Sequence, residues 1–313
     1  MKISSFLKQT APILAFVALL AGCGGSGNSS VAGNGALTLR ITDAAVDNAE
    51  HVYIQFSGLE IQSASGIRTT LYYCQDPTDA SQTVLSTASC STPAAPKQID
   101  LLALSGGQAE VLLDGYTLVA GHYSWIRLMV NTAGSLDSYI VVAGANHELT
   151  IPSGSETGLK LNRGIDIAVG GSADFTIDFD LRKSVHVTGN GDYMLRPTLR
   201  LTDNSLAGAI AGTVNPLLVP AGCTPAVYVF SGSGVTADDI DGIAPDPVTS
   251  ASVMLDSGSG EYHYKAAFLE AGSYTVAYTC MVAADDPLID DMLTFSGTAS
   301  ASVTANTITL HNF

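Results

Sequence analysis

Seven aspartates in the last third of the chain could ligate a hard cation: Asp238, Asp239 and Asp241 in one polar stretch, and Asp285, Asp286, Asp290 and Asp291 in another. Calcium takes about six to eight oxygen ligands, and loop carboxylates are its usual protein donors. Each stretch follows a strand-like segment and each is interrupted by a proline, Pro245 or Pro287, so the two loops are candidates to lie together and hold calcium. Asp246 extends the first of them. A further acidic group, Asp43, Asp47 and Glu50, falls between two strand-like segments. None of the three has the alternating aspartates and closing glutamate of a helix-loop-helix calcium site. Solvated acidic loops are the competing reading.

Catalytic chemistry has less to stand on. His51, His122, His147, His186, His263 and His311 show neither the spacing of a zinc-protease helix nor a neighbouring nucleophile-elbow serine. They read as surface or strand-end histidines, and the chain shows no phosphate loop or dinucleotide fingerprint. Asp174, Asp178, Asp180, Arg182 and Lys183 gather charge on one strand, which is expected to be a solvated sheet face with cross-strand ion pairs. The alternative is a binding face, with Arg127, Arg196 and Arg200 on neighbouring strands. Tyr53, Tyr72, Tyr73, Tyr116, Tyr123, Trp125, Tyr228, Tyr262 and Tyr264 mostly alternate as core residues do, although aromatic side chains of this kind also build carbohydrate platforms. Tyr72 and Tyr73 are adjacent and must face opposite ways.

The start of the chain speaks of export. Lys2 and Lys8 flank an apolar run through Ile13, Leu14, Phe16, Val17, Leu19 and Leu20, too short for a spanning helix and typical of a signal peptide. It ends in Leu20, Ala21, Gly22 and Cys23, which resembles the bacterial lipobox, where the cysteine thiol receives a diacylglycerol. The resemblance implies lipidation at Cys23, a membrane partner reached through that lipid, and, because Gly24 follows, the outer membrane of the cell envelope. A Gly/Ser/Asn-rich stretch up to Gly35 reads as a flexible tether.

The 13 basic and 29 acidic residues give a net charge of −16, which becomes −18 once a leader carrying Lys2 and Lys8 is removed. That charge excludes a nucleic-acid partner. Cys74, Cys90, Cys223 and Cys280 remain besides Cys23, an even number that reads as disulfides in an exported protein. Of three connectivities, pairing within each half, Cys74 with Cys90 and Cys223 with Cys280, is the simplest. The loop-closure estimates are about 3 and about 4 kcal/mol.

The elements that must position these residues are strands. Leu37, Leu39 and Ile41 alternate with polar residues, as do Phe175, Ile177, Phe179 and Leu181. Val52, Ile54 and Phe56 share a parity that Leu59 and Ile61 break after Ser57 and Gly58, the mark of a β-bulge. Tyr262, Tyr264, Ala266 and Phe268 form one face of a later strand. Tyr274, Val276, Tyr278, Cys280 and Val282 form the inner face of the next, and Ile308 and Leu310 mark the last. With 31 glycines as punctuation and no helical period of comparable length, the fold class is all-β. The sequence Leu118-Val119-Ala120-Gly121-His122-Tyr123 is echoed by Leu269-Glu270-Ala271-Gly272-Ser273-Tyr274, each before a strand, which favours a common sandwich scaffold in both halves.

The first half resembles the bacterial family of domain of unknown function 4382. The blocks that carry the resemblance are Leu39–Asp43 with Val46 and Asp47, Val52–Glu60, Ile99–Leu104, Leu113–Gly121 with Tyr123, Ile126–Leu128, Ile151–Gly154, Gly158–Leu161, Ala173–Ser184 and Leu195–Leu201. The second half is similar to the carboxypeptidase-regulatory-like, or transthyretin-like, β-sandwich. The division is therefore a leader over 1–22, a lipidated cysteine and linker over 23–35, and two immunoglobulin-like or transthyretin-like sandwiches over 36–203 and 206–313. The family implies export and lipid attachment and no activity. The expectation is a non-enzymatic envelope protein that binds another envelope protein, a polysaccharide or a cation. A carbohydrate-binding or carbohydrate-processing surface protein is the alternative, and an enzyme would need a cleft where titratable groups converge.

Overall fold

Alternation decides which strands form and how they stack. The computed structural model describes residues 33–44, 49–76, 78, 83–87, 94–152 and 158–313. Cys23 with its leader and most of the linker, Asp47 and Cys90 lie outside the described residues. In the first sandwich a four-stranded sheet runs in the order Leu199–Asp203, Ser172–Asp180, Asn34–Ala44, Glu110–Val119, with the middle pair parallel. The first of these strands already begins at Asn34, so the linker read through Gly35 is shorter than its composition implied. A larger branched sheet centres on His51–Ser63, which pairs with Arg68–Gln75, Lys97–Asp100, Gly121–Val130 and Tyr139–Val142. Leu37, Leu39 and Ile41 from one sheet meet Val52, Ile54, Phe56, Ile61 and Ile126 from the other, all at most 1% exposed.

The bulge read from parity is present. The register between His51–Ser63 and Gly121–Val130 slips between Phe56 and Gly58, and a Cβ on Gly58 would lie 2.2 Å from the Leu71 carbonyl oxygen. Only glycine lets the Arg68–Gln75 strand approach this closely.

After the turn that follows Asp203, two four-stranded sheets form the second sandwich. One is Met254–Leu255, Tyr262–Glu270, Ala207–Val214, Ile308–Leu310; the other is Thr249–Ser252, Ala226–Ser231, Gly272–Thr279, Phe295–Val303. Val227, Val229, Val276 and Tyr278 face the sheet that carries Ile210, Tyr264 and Ala266. On the opposite face Tyr228, Phe230 and Ala277 pack with Ile240 and Val282, residues of the long acidic loops. Those loops are therefore held down by a small core of their own, which is why Ala226–Phe230 is buried on both faces. One reading of parity is corrected. Phe268, at φ 54°, breaks the alternation opposite a register shift between Gly208 and Ile210, so Leu269 takes the buried place. Ile308 and Leu310 form the last strand as expected, and both are exposed because it runs along the sheet edge.

The repeated hexapeptide is a repeated corner. Ala120 and Ala271 are single residues between strands that belong to different sheets. In both corners the tyrosine hydroxyl donates 2.8 Å to the carbonyl four residues upstream, Tyr123 to Val119 and Tyr274 to Glu270. Tyrosine corners of this general kind pin a strand entrance in β-sandwiches. The two sandwiches belong to one compact unit.

Candidate functional site

The charged strand Ser172–Asp180 keeps Asp174 part-exposed in the expected ion pair with Arg40 on the next strand, but it places Asp178 and Asp180 at the seam between the sandwiches, against the expectation of a solvated face. Thr42, Thr176, Asp178 and Thr202 stand on the outer face of the four-stranded sheet and are buried. A sheet with an apolar face must bury it. Here the polar face is covered as well, by the second sandwich, and its groups must then find partners. Asp178 pairs with Arg200, its register neighbour. Of the other arginines considered, Arg127 instead pairs with Glu60 in the larger sheet.

The strand ends in a device that carries charge across the seam. Asp180 accepts the Lys183 N–H at 3.2 Å and so caps a single helical turn, Leu181–Ser184. The turn, which takes Leu181 out of the strand, aims its two cations at the second sandwich. The buried Arg182 bonds the Ser250 hydroxyl and stacks over the Tyr228 ring at 5.7 Å. Lys183 bonds the Asp246 carboxylate and the Pro247 carbonyl. Arg163 joins Glu270 to the Leu201 carbonyl. Behind the turn, Asp43 Oδ1 accepts the Leu181 N–H, while Asp43 Oδ2 and Asp180 Oδ2 are buried with no hydrogen-bond partner among the described residues. Burial, then the charges of Asp178 and Asp180, push the Asp43 carboxyl well above its usual range. Burial raises Asp180 to about 6 against the pull of Lys183.

Beside this turn a cleft of about 380 Å³ opens between the sandwiches. Ile140, Val142, Val185, Val187, Tyr193, Val282 and Pro287 give it apolar walls, and Arg182, His186, Asp285 and Asp286 bring polar groups to it. Apolar walls with a few convergent polar groups are the usual make-up of a ligand site. His186 is held below its ordinary pKa by burial and by Arg196, with Asp286 opposing. Asp285 is raised to about 6 by burial although the Tyr228 hydroxyl and the Ile240 N–H both donate to it. Local spacing marks His186 only as one more strand-end histidine, because its place in the cleft depends on a loop a hundred residues away.

Asp285 also belongs to the acidic loops, and these do come together. Carboxylate oxygens of Asp239, Asp285 and Asp291 lie within 4.8 Å of one another, as do those of Asp239, Asp241 and Asp290. Asp239 is buried, which raises its pKa, and it accepts the Asp291 N–H. The remaining residues of the expected set serve elsewhere. Asp238 accepts the Asp239 N–H at 3.2 Å, Asp286 accepts the Leu288 N–H and lines the cleft, and Asp246 holds Lys183. Of the other acidic group, Asp47 lies outside the described residues, Asp43 turns to Leu181, and Glu50 accepts the Gly144 N–H at 2.9 Å.

Cys223 and Cys280 form a disulfide across 57 residues. It ties the loop that passes between the second sandwich's sheets to the end of Gly272–Thr279, and Cys280 packs on the core. Cys74 is disulfide-bonded too. Tyr73 is buried and Tyr72 exposed, as adjacency required. Trp125 is no open platform: Arg68, Arg127 and Lys160 lie over its ring at 5.5, 5.4 and 4.8 Å.

Fold and seam together define an all-β protein of two sandwiches joined through buried charge. Residues 34–197 match the model of the domain of unknown function DUF4382, and the chain belongs to that family. No curated protein matches it. Among solved structures, a leucine-rich repeat protein from Bacteroides thetaiotaomicron is 13% identical over 90% of this chain and 26% of its own, with a TM-score of 0.20. The Bacillus anthracis TIE protein is 10% identical over 90% of this chain and 51% of its own, at 0.19. The minor pilin GBS52 of Streptococcus agalactiae is 9% identical over 88% and 94%, at 0.19. The chain thus spans about a quarter and about half the length of the first two.

Proposed function

We propose that the protein is a lipid-anchored envelope protein, held through Cys23, that binds a partner non-enzymatically in the cleft between its sandwiches. The acidic loops beside that cleft are its calcium site. The observation that carries this reading is Asp285, which is at once a wall of the cleft and a member of the carboxylate trio, so a cation bound there would alter the charge that a ligand meets. The sandwich over 206–313, with its transthyretin-like corner, supplies both loops. The lipobox supports the anchor and an outer-membrane location.

Calcium at millimolar concentration is expected to raise the melting temperature of the wild type and to leave Asp239→Asn unmoved. An unchanged wild-type curve removes the cation from the proposal. For the cleft, the lipidated protein is recovered from intact membranes beside a His186→Ala variant. A partner that accompanies only the wild type supports binding. The convergence of His186 and Asp285 favours one second reading, a carbohydrate-processing enzyme. Turnover of an envelope polysaccharide, lost in both His186→Ala and Asp285→Asn, would put that reading first.

A further inference from the structure

Three turns meet where the described chain begins. Ala120 N–H donates to the Gly33 carbonyl and Gly170 N–H to that of Asn34. Asn34 pairs with Val119, and a Cβ on Gly33 would strike Val169 at 2.4 Å. Ala64 N–H reaches the His122 carbonyl, which brings in the turn that carries Ile67. Each turn presents one aliphatic side chain to solvent: Ile67 is 69% exposed, Val119 54% and Val169 72%. Ile67 and Val119 also line one groove of about 540 Å³, whose floor includes Tyr116 and Leu118.

Residues 64–67, 117–121 and 168–171 contain no carboxylate, and the nearest, Asp166, is paired with His122. Leu206 and Leu217 are also exposed in a carboxylate-free stretch, but each stands alone, whereas Leu288, Ile289 and Met292 form a patch that stands among Asp285, Asp286, Asp290 and Asp291. An anionic leaflet repels that patch and admits the three turns. Reach points the same way. Nine residues lie between Cys23 and Gly33, and so the covalent chain sets an upper limit of about 35 Å on the distance between the two.

We infer that this end of the first sandwich is a lipid-contacting surface, in which Ile67, Val119 and Val169 enter the head-group region and the groove beside them accepts acyl chain. The inference rests on the lipid-anchor reading above. It makes the tether a docking device in which the acyl chains on Cys23 and the three turns engage the membrane together, as multiple weak signals do in stable membrane attachment.

The test uses the full lipidated chain on vesicles of phosphatidylethanolamine and phosphatidylglycerol, with a nitroxide placed singly at Ile67→Cys, Val169→Cys or Met292→Cys. All three are exposed positions in turns or loops, and two independent sites probe the proposed surface. Labels at 67 and 169 are expected to collide more with oxygen and less with an aqueous nickel chelate than the label at 292. Protein that floats with the vesicles while all three labels report water overturns the surface and leaves the anchor standing. Protein that does not float, and carries no lipid, overturns the anchor and this inference with it.

Discussion

Single residues at the seam set how the protein responds to acid. Asp180 titrates near 6 in the folded state against 3.8 as a free side chain. Between those values the folded state holds more protons than the unfolded one, so this group's contribution to stability rises as pH falls from 7 towards 4. A shift of this size corresponds to about 3 kcal/mol at most. Asp180→Asn keeps the acceptor that caps Leu181–Ser184 and removes the charge. It is expected to stabilise the protein near pH 7 and to flatten the difference from wild type below pH 4. Urea titrations of both proteins across that range check it, and a constant difference at every pH refutes it. Residue chemistry of this kind was partly written in the sequence. The acidic loops were legible because prolines and strand ends placed them, and adjacency told Tyr72 from Tyr73. The burial of Asp178, Asp180 and Arg182 was not legible. A strand that alternates polar with apolar looks the same whether water or another sandwich covers its polar face.

At the scale of elements, periodicity served well wherever one strand obeyed one rule. The slip after Phe56 forecast the bulge at Gly58, and the hexapeptide echo, which pointed to a common scaffold, marks two corners that share a hydrogen bond. It failed where an irregularity left no compositional mark: Phe268 adopts a positive φ without being glycine, and nothing in its neighbours announces it. The bulge gives a sharp prediction. Gly58→Ala would drive a methyl into the Leu71 carbonyl, and overpacking against backbone costs about 1–3 kcal/mol. The denaturation midpoint is expected to fall with an unchanged slope. A midpoint equal to wild type would mean that Arg68–Gln75 can move away from Gly58 without loss.

For the whole molecule, the seam decides whether two sandwiches behave as one body. Arg182 reaches from the first to the second and sits among Asp43, Asp180 and Asp285. Arg182→Met removes the counter-charge that Asp43 and Asp285 share and leaves Asp180 with Lys183 alone, and breaking such a buried arrangement costs about 3–5 kcal/mol. Calorimetry is expected to show a single transition in wild type and two in the variant, one for each sandwich. A single unsplit transition in the variant would show that the remaining joints, Lys183 with Asp246 and Arg163 with Glu270, couple the halves unaided. The order of strands adds a mechanical consequence. Asn34–Ala44, the first strand of the chain to be described, lies between a parallel neighbour and an antiparallel one, hydrogen-bonded on both sides. A pull applied through the chain that precedes Asn34, against a load held by the rest of the protein, draws that strand lengthwise between its neighbours. Its bonds are then strained in shear, all at once, instead of being unzipped one by one. Forced unfolding is limited by a rate, and this geometry makes that rate slow where the described chain enters the first sandwich.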